Sequence, residues 1–414
     1  MDVHHRVPRI RDLETDHNEL AQVIGNDGEL VLIHEPMDFQ SPERTIEGAR
    51  FVSCCMVIDA PKQTTKEFVR DFENYESFME HMYESNIVDS NPDSTSVQFD
   101  VGLETPIINP HFSYIVKYDH TGEDLRFQSV SGDMDLILGR WEFIELSEDR
   151  TLLVYTSWFE FGSLSWALRT VLWAQPDLKL IIPVTQATVL SHALKTALEG
   201  NSDKPPETNA STLPDKPSVP LFTESDTDLS SLTPLAENGT LMQVHPEQWI
   251  QDDEDKLNIR FVTGIGLMNV DLKEARRTST DFESYPNYIQ QVSSVETERT
   301  DDGPLLAKWT LDLGVTLVSM GVSYTIKYSS SNQTVMTFER VEGDLEHIYG
   351  ALEWEPVSED RTLFFYTTAT QIGSGDALIA RLVNVLPYKQ ILIGVAAGTV
   401  AVEKLVRTVN QSLP

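Results

Sequence analysis

The chain has 414 residues, 40% of them hydrophobic and 9% aromatic, which is enough apolar material for two or three packed domains. Acidic residues outnumber basic ones, 65 to 31, for a formal net charge of −34. Such a surface repels nucleic-acid phosphate and anionic headgroups, so nucleic acid is excluded as a partner class. No run reaches the roughly 18 apolar residues of a membrane span; the nearest, Ile391–Val402, is too short. Residues 1–20 are polar with no apolar signal core, and the expectation is a cytoplasmic protein with that stretch as a flexible tail.

In chain order, Arg50–Asp59 reads as an apolar strand carrying both cysteines, Cys54 and Cys55. Neighbouring strand residues point to opposite faces and a disulfide between them would be strained, so both are expected reduced. Pro61–Met79 has helix signals, with Phe68, Val69, Phe72 and Tyr75 at helical spacing and Asp71-Phe72-x-x-Tyr75 closing a first helix into a short second one. Strands follow at Ser85–Ser90, Ser96–Glu104, His111–Tyr118, Asp124–Gly132, Gly139–Leu146 and Thr151–Phe161, with Ser147-Glu148-Asp149-Arg150 as a hairpin turn. Short turns between consecutive strands imply an antiparallel meander. Leu164–Trp173 is a short amphipathic piece, either a packed surface helix or a lid making transient membrane contact. Pro176 opens a long helix to Glu199, kinked by Pro183.

The same series then recurs. Arg50-Phe51-Val52-Ser53 returns as Arg260-Phe261-Val262-Thr263, and Tyr114-Ile115-Val116-Lys117-Tyr118 as Tyr324-Thr325-Ile326-Lys327-Tyr328. After a one-residue insertion, Ser147-Glu148-Asp149-Arg150-Thr151-Leu152 returns unchanged from Ser358 to Leu363, and Pro176 as Pro387. Even the lead-in repeats, Gly28…His34 against Gly239…His245. The chain therefore divides into a first domain over 21–200, a Pro/Ser/Asp-rich linker over 201–236 expected to be disordered, and a second domain over 237–414. The fold class is α+β: in each copy a curved antiparallel sheet wraps a long C-terminal helix, and a space between them suits an apolar ligand.

Three lines of residues carry a resemblance: Val57-Ile58-Asp59-Ala60-Pro61 through Asp71-Phe72-Glu73-Asn74-Tyr75, Val130-Ser131-Gly132-Asp133 through Gly139-Arg140-Trp141-Glu142-Phe143, and Leu152-Leu153-Val154-Tyr155 through Phe159-Glu160-Phe161. They resemble the START-like (SRPBCC) helix-grip superfamily, and within it the polyketide cyclase/dehydrase and coenzyme-Q-binding family. The resemblance covers nearly all of each copy and implies a carrier of a quinone, lipid or polyketide-like molecule. It equally admits a cyclase or dehydratase, or a protein-interaction module whose interior is filled. It implies no cofactor and no fixed catalytic residues.

Aromatic residues on strands are the candidate cavity lining: Phe99, Tyr114, Trp141, Tyr155 and Trp158 in the first copy, and Tyr324, Trp354 and Tyr366 in the second. Glu142 and Glu353 are equivalent and either point inward as general acids or outward to a Lys or Arg across the sheet. The outward reading is preferred, since Trp141 is the residue expected inside. Asp133, Asp344, Arg150 and Arg361 are read as turn chemistry, and Lys117 and Lys327 as solvent-facing. No Cys/His spacing suits a metal. Gly394, Ala397, Gly398 and Ala401 form a small-residue stripe on the last helix, which either draws helix and sheet together or widens the second cavity.

Overall fold

The computed structural model describes residues 7–41, 44–79, 82–102, 111–160, 177–200, 213–224, 228–252, 255–299, 304–312, 321–371 and 389–411. The first compact unit is built on Met1–Asp203, and the second on Lys204–Arg381 with Gln390–Pro414.

In domain 1, strands β1 (Glu29–His34), β4 (Val52–Ile58), β5 (Met82–Ser90), β6 (Ser94–Gly102), β7 (His111–Asp119), β8 (Leu125–Gly132), β9 (Ile137–Ser147) and β10 (Arg150–Phe159) lie in the order β1-β4-β10-β9-β8-β7-β6-β5. Every pairing is antiparallel. Helix α3 (Leu178–Glu199) lies against β1, β4 and β10 on one face, here called the inner face. Every residue of β4 is buried, because its other face is covered too. There α1 (His17–Ile24) packs on it, and beyond its end a hairpin, β2 (Met37–Gln40) and β3 (Thr45–Ala49), builds an apolar cluster in which Phe39 and Ile46 join Val7, Phe51, Leu138 and Trp158. A strand buried on both sides reads as a continuous apolar run, which is how β4 and β10 appear in the sequence.

The flexible tail expected over 1–20 is corrected for its described part. Ile10–Asp12 forms a 3-10 turn and α1 (His17–Ile24) starts on an Asp16 carboxylate that accepts from the amides of Asn18 and Glu19. Val7, Ile10 and Leu20 are buried. Three apolar anchors in a polar stretch suffice once an outer sheet face is there to receive them.

Domain 2 repeats the plan with β11 (Gly239–Asp252), β12 (Asp255–Met268), β13 (Val292–Arg299), β14 (Leu305–Asp312), β15 (Gly321–Ser330), β16 (Val335–Gly343), β17 (His347–Ser358) and β18 (Arg361–Gln371), ordered β13-β14-β15-β16-β17-β18-β12-β11. Its long helix is α6 (Lys389–Gln411). The disordered linker expected over 201–236 is likewise corrected for 213–224 and 228–236. Gln251 donates its amide to the Pro214 carbonyl, and Gln248 exchanges two hydrogen bonds of 2.8 Å with the Ser218 backbone. Phe222 is buried, and helix α4 (Leu232–Glu237) buries Leu232 and Leu235. Composition missed this because a few apolar residues, not the average, decide whether a Pro-rich strap finds a surface.

The repeated Gly-Asp pair bends each sheet. Gly132 and Gly343 have φ of 123° and 122°, and a Cβ at either would come within 2.3 Å or 2.4 Å of the Cα of Tyr114 or Tyr324. The following Asp133 and Asp344 accept the amides of Ser113 and Ser323 at 2.8 and 2.7 Å. The bulge thus sets the tyrosine of the neighbouring strand.

Candidate functional site

The inner face carries an aromatic wall that both copies share. Tyr75, Tyr114, Tyr118 and Tyr155 correspond to Tyr285, Tyr324, Tyr328 and Tyr366. In domain 1 the ring of Phe99 lies 6.1 Å from Tyr75 and 5.9 Å from Tyr114, Tyr118 lies 4.2 Å from Phe72, and Tyr155 lies 4.6 Å from Trp141. In domain 2 Trp309 stands where Phe99 does, 5.3 Å from Tyr285, and Tyr328 lies 4.4 Å from Phe282. The 3-10 turn after α2 (Lys62–Val69) supplies Tyr75 and the one after α5 (Leu272–Ser279) supplies Tyr285, and their hydroxyls are spent on the Val69 and Ser279 carbonyls at 2.7 and 2.9 Å. Tyr114, Tyr324 and Tyr366 are half-buried. Burial pushes the hydroxyls of Tyr114, Tyr155, Tyr324 and Tyr366 up from their ordinary pKa, so near neutral pH they stay protonated donors.

Of the eight aromatic residues picked from sequence, Phe99, Tyr114, Trp141, Tyr155, Tyr324 and Tyr366 stand on this wall. Trp158 does not, which is a correction. It pairs with Leu138 on the outer face and meets Phe39 edge-on at 5.3 Å under the β2–β3 hairpin. Trp354 faces inward but is sealed under α5 (Leu272–Ser279), its indole N–H on Ser279 Oγ at 2.9 Å and the Arg276 guanidinium 5.3 Å from its ring centroid.

Where the long helix meets the sheet, the copies differ. In domain 1, His192 Nδ1 and Glu29 Oε1 lie 2.7 Å apart, both buried, and the Lys195 ammonium donates to the Asn26 and Val57 carbonyls. In domain 2 the same two positions hold Glu403 and Thr240, with Thr240 Oγ1 donating to Glu403 Oε2 at 2.6 Å. The acid has crossed from strand to helix. The glycines of the second seam act as seats: a Cβ on Gly264 or Gly266 would stand 2.5 Å from Val402 or Val406, and one on Gly398 2.5 Å from Met242. Of the small-residue stripe, Gly394 and Gly398 therefore bring helix and sheet together, whereas Ala397 stays exposed. Cys54 and Cys55 are free and buried, and burial raises both thiols, so they are structural.

Glu142 and Glu353 require a correction. Both do point outward, yet both are fully buried. No Lys or Arg across the sheet is their main partner. Glu142 accepts the amides of Ile10 and Arg11 at 2.9 and 3.3 Å, and the Arg11 Nε at 3.3 Å. Glu353 accepts the amides of Phe222 and Thr223 at 3.2 and 2.9 Å, and the Thr223 hydroxyl at 2.9 Å. Burial raises both carboxyls and these donors partly offset it. They are strap anchors, one per copy, not acids of a cavity. Sequence reasoning also missed a relay on the outer face: His34 to Ser53 to Thr156 in domain 1, each step 2.7 Å, and His245 to Thr263 to Thr367 in domain 2, at 2.7 and 2.8 Å. The repeated lead-in, which ends on His34 and His245, was its only signal.

Lys117 is exposed as expected, and Lys327, half-buried, reaches Glu339 at 3.4 Å. Arg150 and Arg361 tie their hairpins to Asp59 and Asn26, and to Glu237. Among the described residues no His/Cys/Asp/Glu group could hold a metal, and no helix is long and apolar enough to cross a membrane. The amphipathic piece at Leu164–Trp173, Pro176 and Pro387 lie outside the described residues. Of two described surface grooves, one of about 550 Å³ beside Arg276, Arg299 and Lys327 reaches Tyr328 at one end of the aromatic wall, and one of about 330 Å³ beside Asn18 and Arg150 lies away from it.

A bent antiparallel sheet with one long helix on its inner face, present twice, makes this a tandem helix-grip protein. Residues 58–174 match the family described as polyketide cyclase / dehydrase and lipid transport. No curated protein matches the chain. Among solved structures, the chain is similar to the di-domain aromatase/cyclase StfQ of the steffimycin pathway (10% identity, 87% of this chain and 98% of that one, TM-score 0.28). Others are the Zhui aromatase/cyclase of a Streptomyces strain (17%, 36% and 93%, TM-score 0.31) and a START superfamily protein of Mycobacterium smegmatis (20%, 37% and 99%, TM-score 0.30).

Proposed function

We propose that the chain binds and carries a hydrophobic small molecule, a quinone, lipid or polyketide-like compound, between the sheet and the long helix. The observation that carries this is the duplicated wall, with Tyr114, Tyr324 and Tyr366 half-buried among aromatic rings. A filled core has no use for partly exposed phenols held as neutral donors, whereas a ligand with one polar end does. Native mass spectrometry of the purified chain, with extraction of what is bound, tests it. A co-purifying quinone, lipid or polyketide supports the reading. A bare polypeptide mass, together with no uptake of added quinones or lipids, refutes it.

A second reading is a cyclase or dehydratase. The family match over 58–174 favours it, as does the buried Glu29–His192 pair on the helix side of domain 1. An enzyme of this class would remove water from the bound molecule. Mass analysis of a polyketide-like ligand before and after incubation separates carriage from reaction.

A further inference from the structure

We propose that the two copies have parted: domain 2 keeps ligand space beside Tyr366, while domain 1 has filled the part of that space beside Tyr155 with its own side chains. This rests on the reading that the helix–sheet interior binds an apolar molecule.

Tyr155 and Tyr366 are equivalent, and their neighbours differ in one direction. In domain 1 Tyr155 is 6% exposed. Trp141, its cross-strand partner, lies 4.6 Å from its ring, Gln186 Nε2 stands 3.4 Å from its hydroxyl, and Leu190 is buried one turn further along α3. The same three positions in domain 2 are Leu352, Ala397 and Ala401. Together they carry roughly a dozen fewer side-chain heavy atoms, a loss that a close-packed interior would register as a sizeable void. Leu352 is itself buried, so the opening lies on the helix side, where Tyr366 and Ala401 are half-buried and Ala397 is exposed.

The loss is local. A few residues along the same seam, Gly264 and Gly266 are small too, but Val402 and Val406 are seated directly on them. Domain 2 closes its gaps there and leaves open the one beside Tyr366. The space is apolar, with the phenols of Tyr324 and Tyr366 as the polar handles. Its complement is a flat, neutral ring system bearing a carbonyl oxygen. Ala397 and Ala401 are the residues that set its size.

Nile red, a flat neutral dye with one ring carbonyl, is the probe, titrated by fluorescence into the full chain. One site per chain is expected. Ala397→Gln and Ala401→Leu each restore the residue found in domain 1 and should weaken binding about ten-fold or more. The double variant Trp141→Leu/Gln186→Ala should gain a second site. Ala397 is exposed, so Ala397→Gln carries the test even if Ala401→Leu disturbs folding, which circular dichroism checks. Two sites in the unaltered chain, or binding indifferent to Ala397→Gln, overturns the division between copies and leaves the binding reading intact. No binding by any variant overturns both.

Discussion

Two buried histidines tie this fold to pH in one direction. Desolvation lowers the His34 imidazole to about 3 and that of His245 to about 4, against 6.5 when free. Each is neutral when folded and gains a proton on unfolding, so its contribution is complete above about pH 6.5 and shrinks as pH falls toward the folded value. Each histidine should cost about 1.4 kcal/mol per pH unit within that window. Urea midpoints at a series of pH values should fall below pH 6.5, and the slope should be shallower in His34→Gln. A flat profile would mean the relay is hydrated. The buried glutamates make a second test. Glu142→Ala leaves the Ile10 and Arg11 amides without their acceptor, at about 1–3 kcal/mol, and their hydrogen exchange should quicken. Glu353→Ala should do the same at Phe222 and Thr223 and leave Ile10 unchanged. Sequence reasoning settled that Glu142 and Trp141 face opposite ways, which period-two alternation requires. It then looked for a Lys or Arg partner across the sheet, as an uncovered outer face would offer, and that step failed because this sheet is covered twice. Trp158 was misplaced by the same step: a large aromatic was assumed to face the helix when an outer core was also available.

At the scale of elements, the repeat did most of the work. Recurrence of Arg50-Phe51 as Arg260-Phe261, and of the Ser-Glu-Asp-Arg turn, located strands and hairpins without any partner information, because local turn chemistry and alternation are written in adjacent residues. The straps were not legible. What holds Ile10 and Phe222 is a carboxylate more than a hundred residues away, and no local pattern announces it. The seat of the long helix is equally a matter of contact. Gly264→Val would drive a side chain into Val402, which already stands 2.5 Å from where a Cβ would be. Overpacking of this kind costs about 1–3 kcal/mol, so α6 should lift and the melting temperature of domain 2 should fall in calorimetry, with domain 1 unaffected.

For the molecule as a whole, the unit that was duplicated is longer than its compact core. Ile10-Arg11 and Phe222-Thr223 meet equivalent glutamates, so each domain includes the strap before it. A fragment that begins at Asp228 should be markedly less stable than one that begins at Leu213, because a buried carboxylate left without donors costs about 3–5 kcal/mol. Equal melting temperatures would show the strap to be ornamental. The crossed pair at the helix seam has a consequence of another kind. Two homologous halves in one gene invite recombination that makes them alike again. Carrying the helix of the second half into the first would press Glu403 against Glu29, two buried carboxylates side by side, whereas the reverse exchange sets His192 beside the harmless Thr240. The halves can therefore be blended in one direction more easily than the other, and a single crossed hydrogen bond helps keep them distinct.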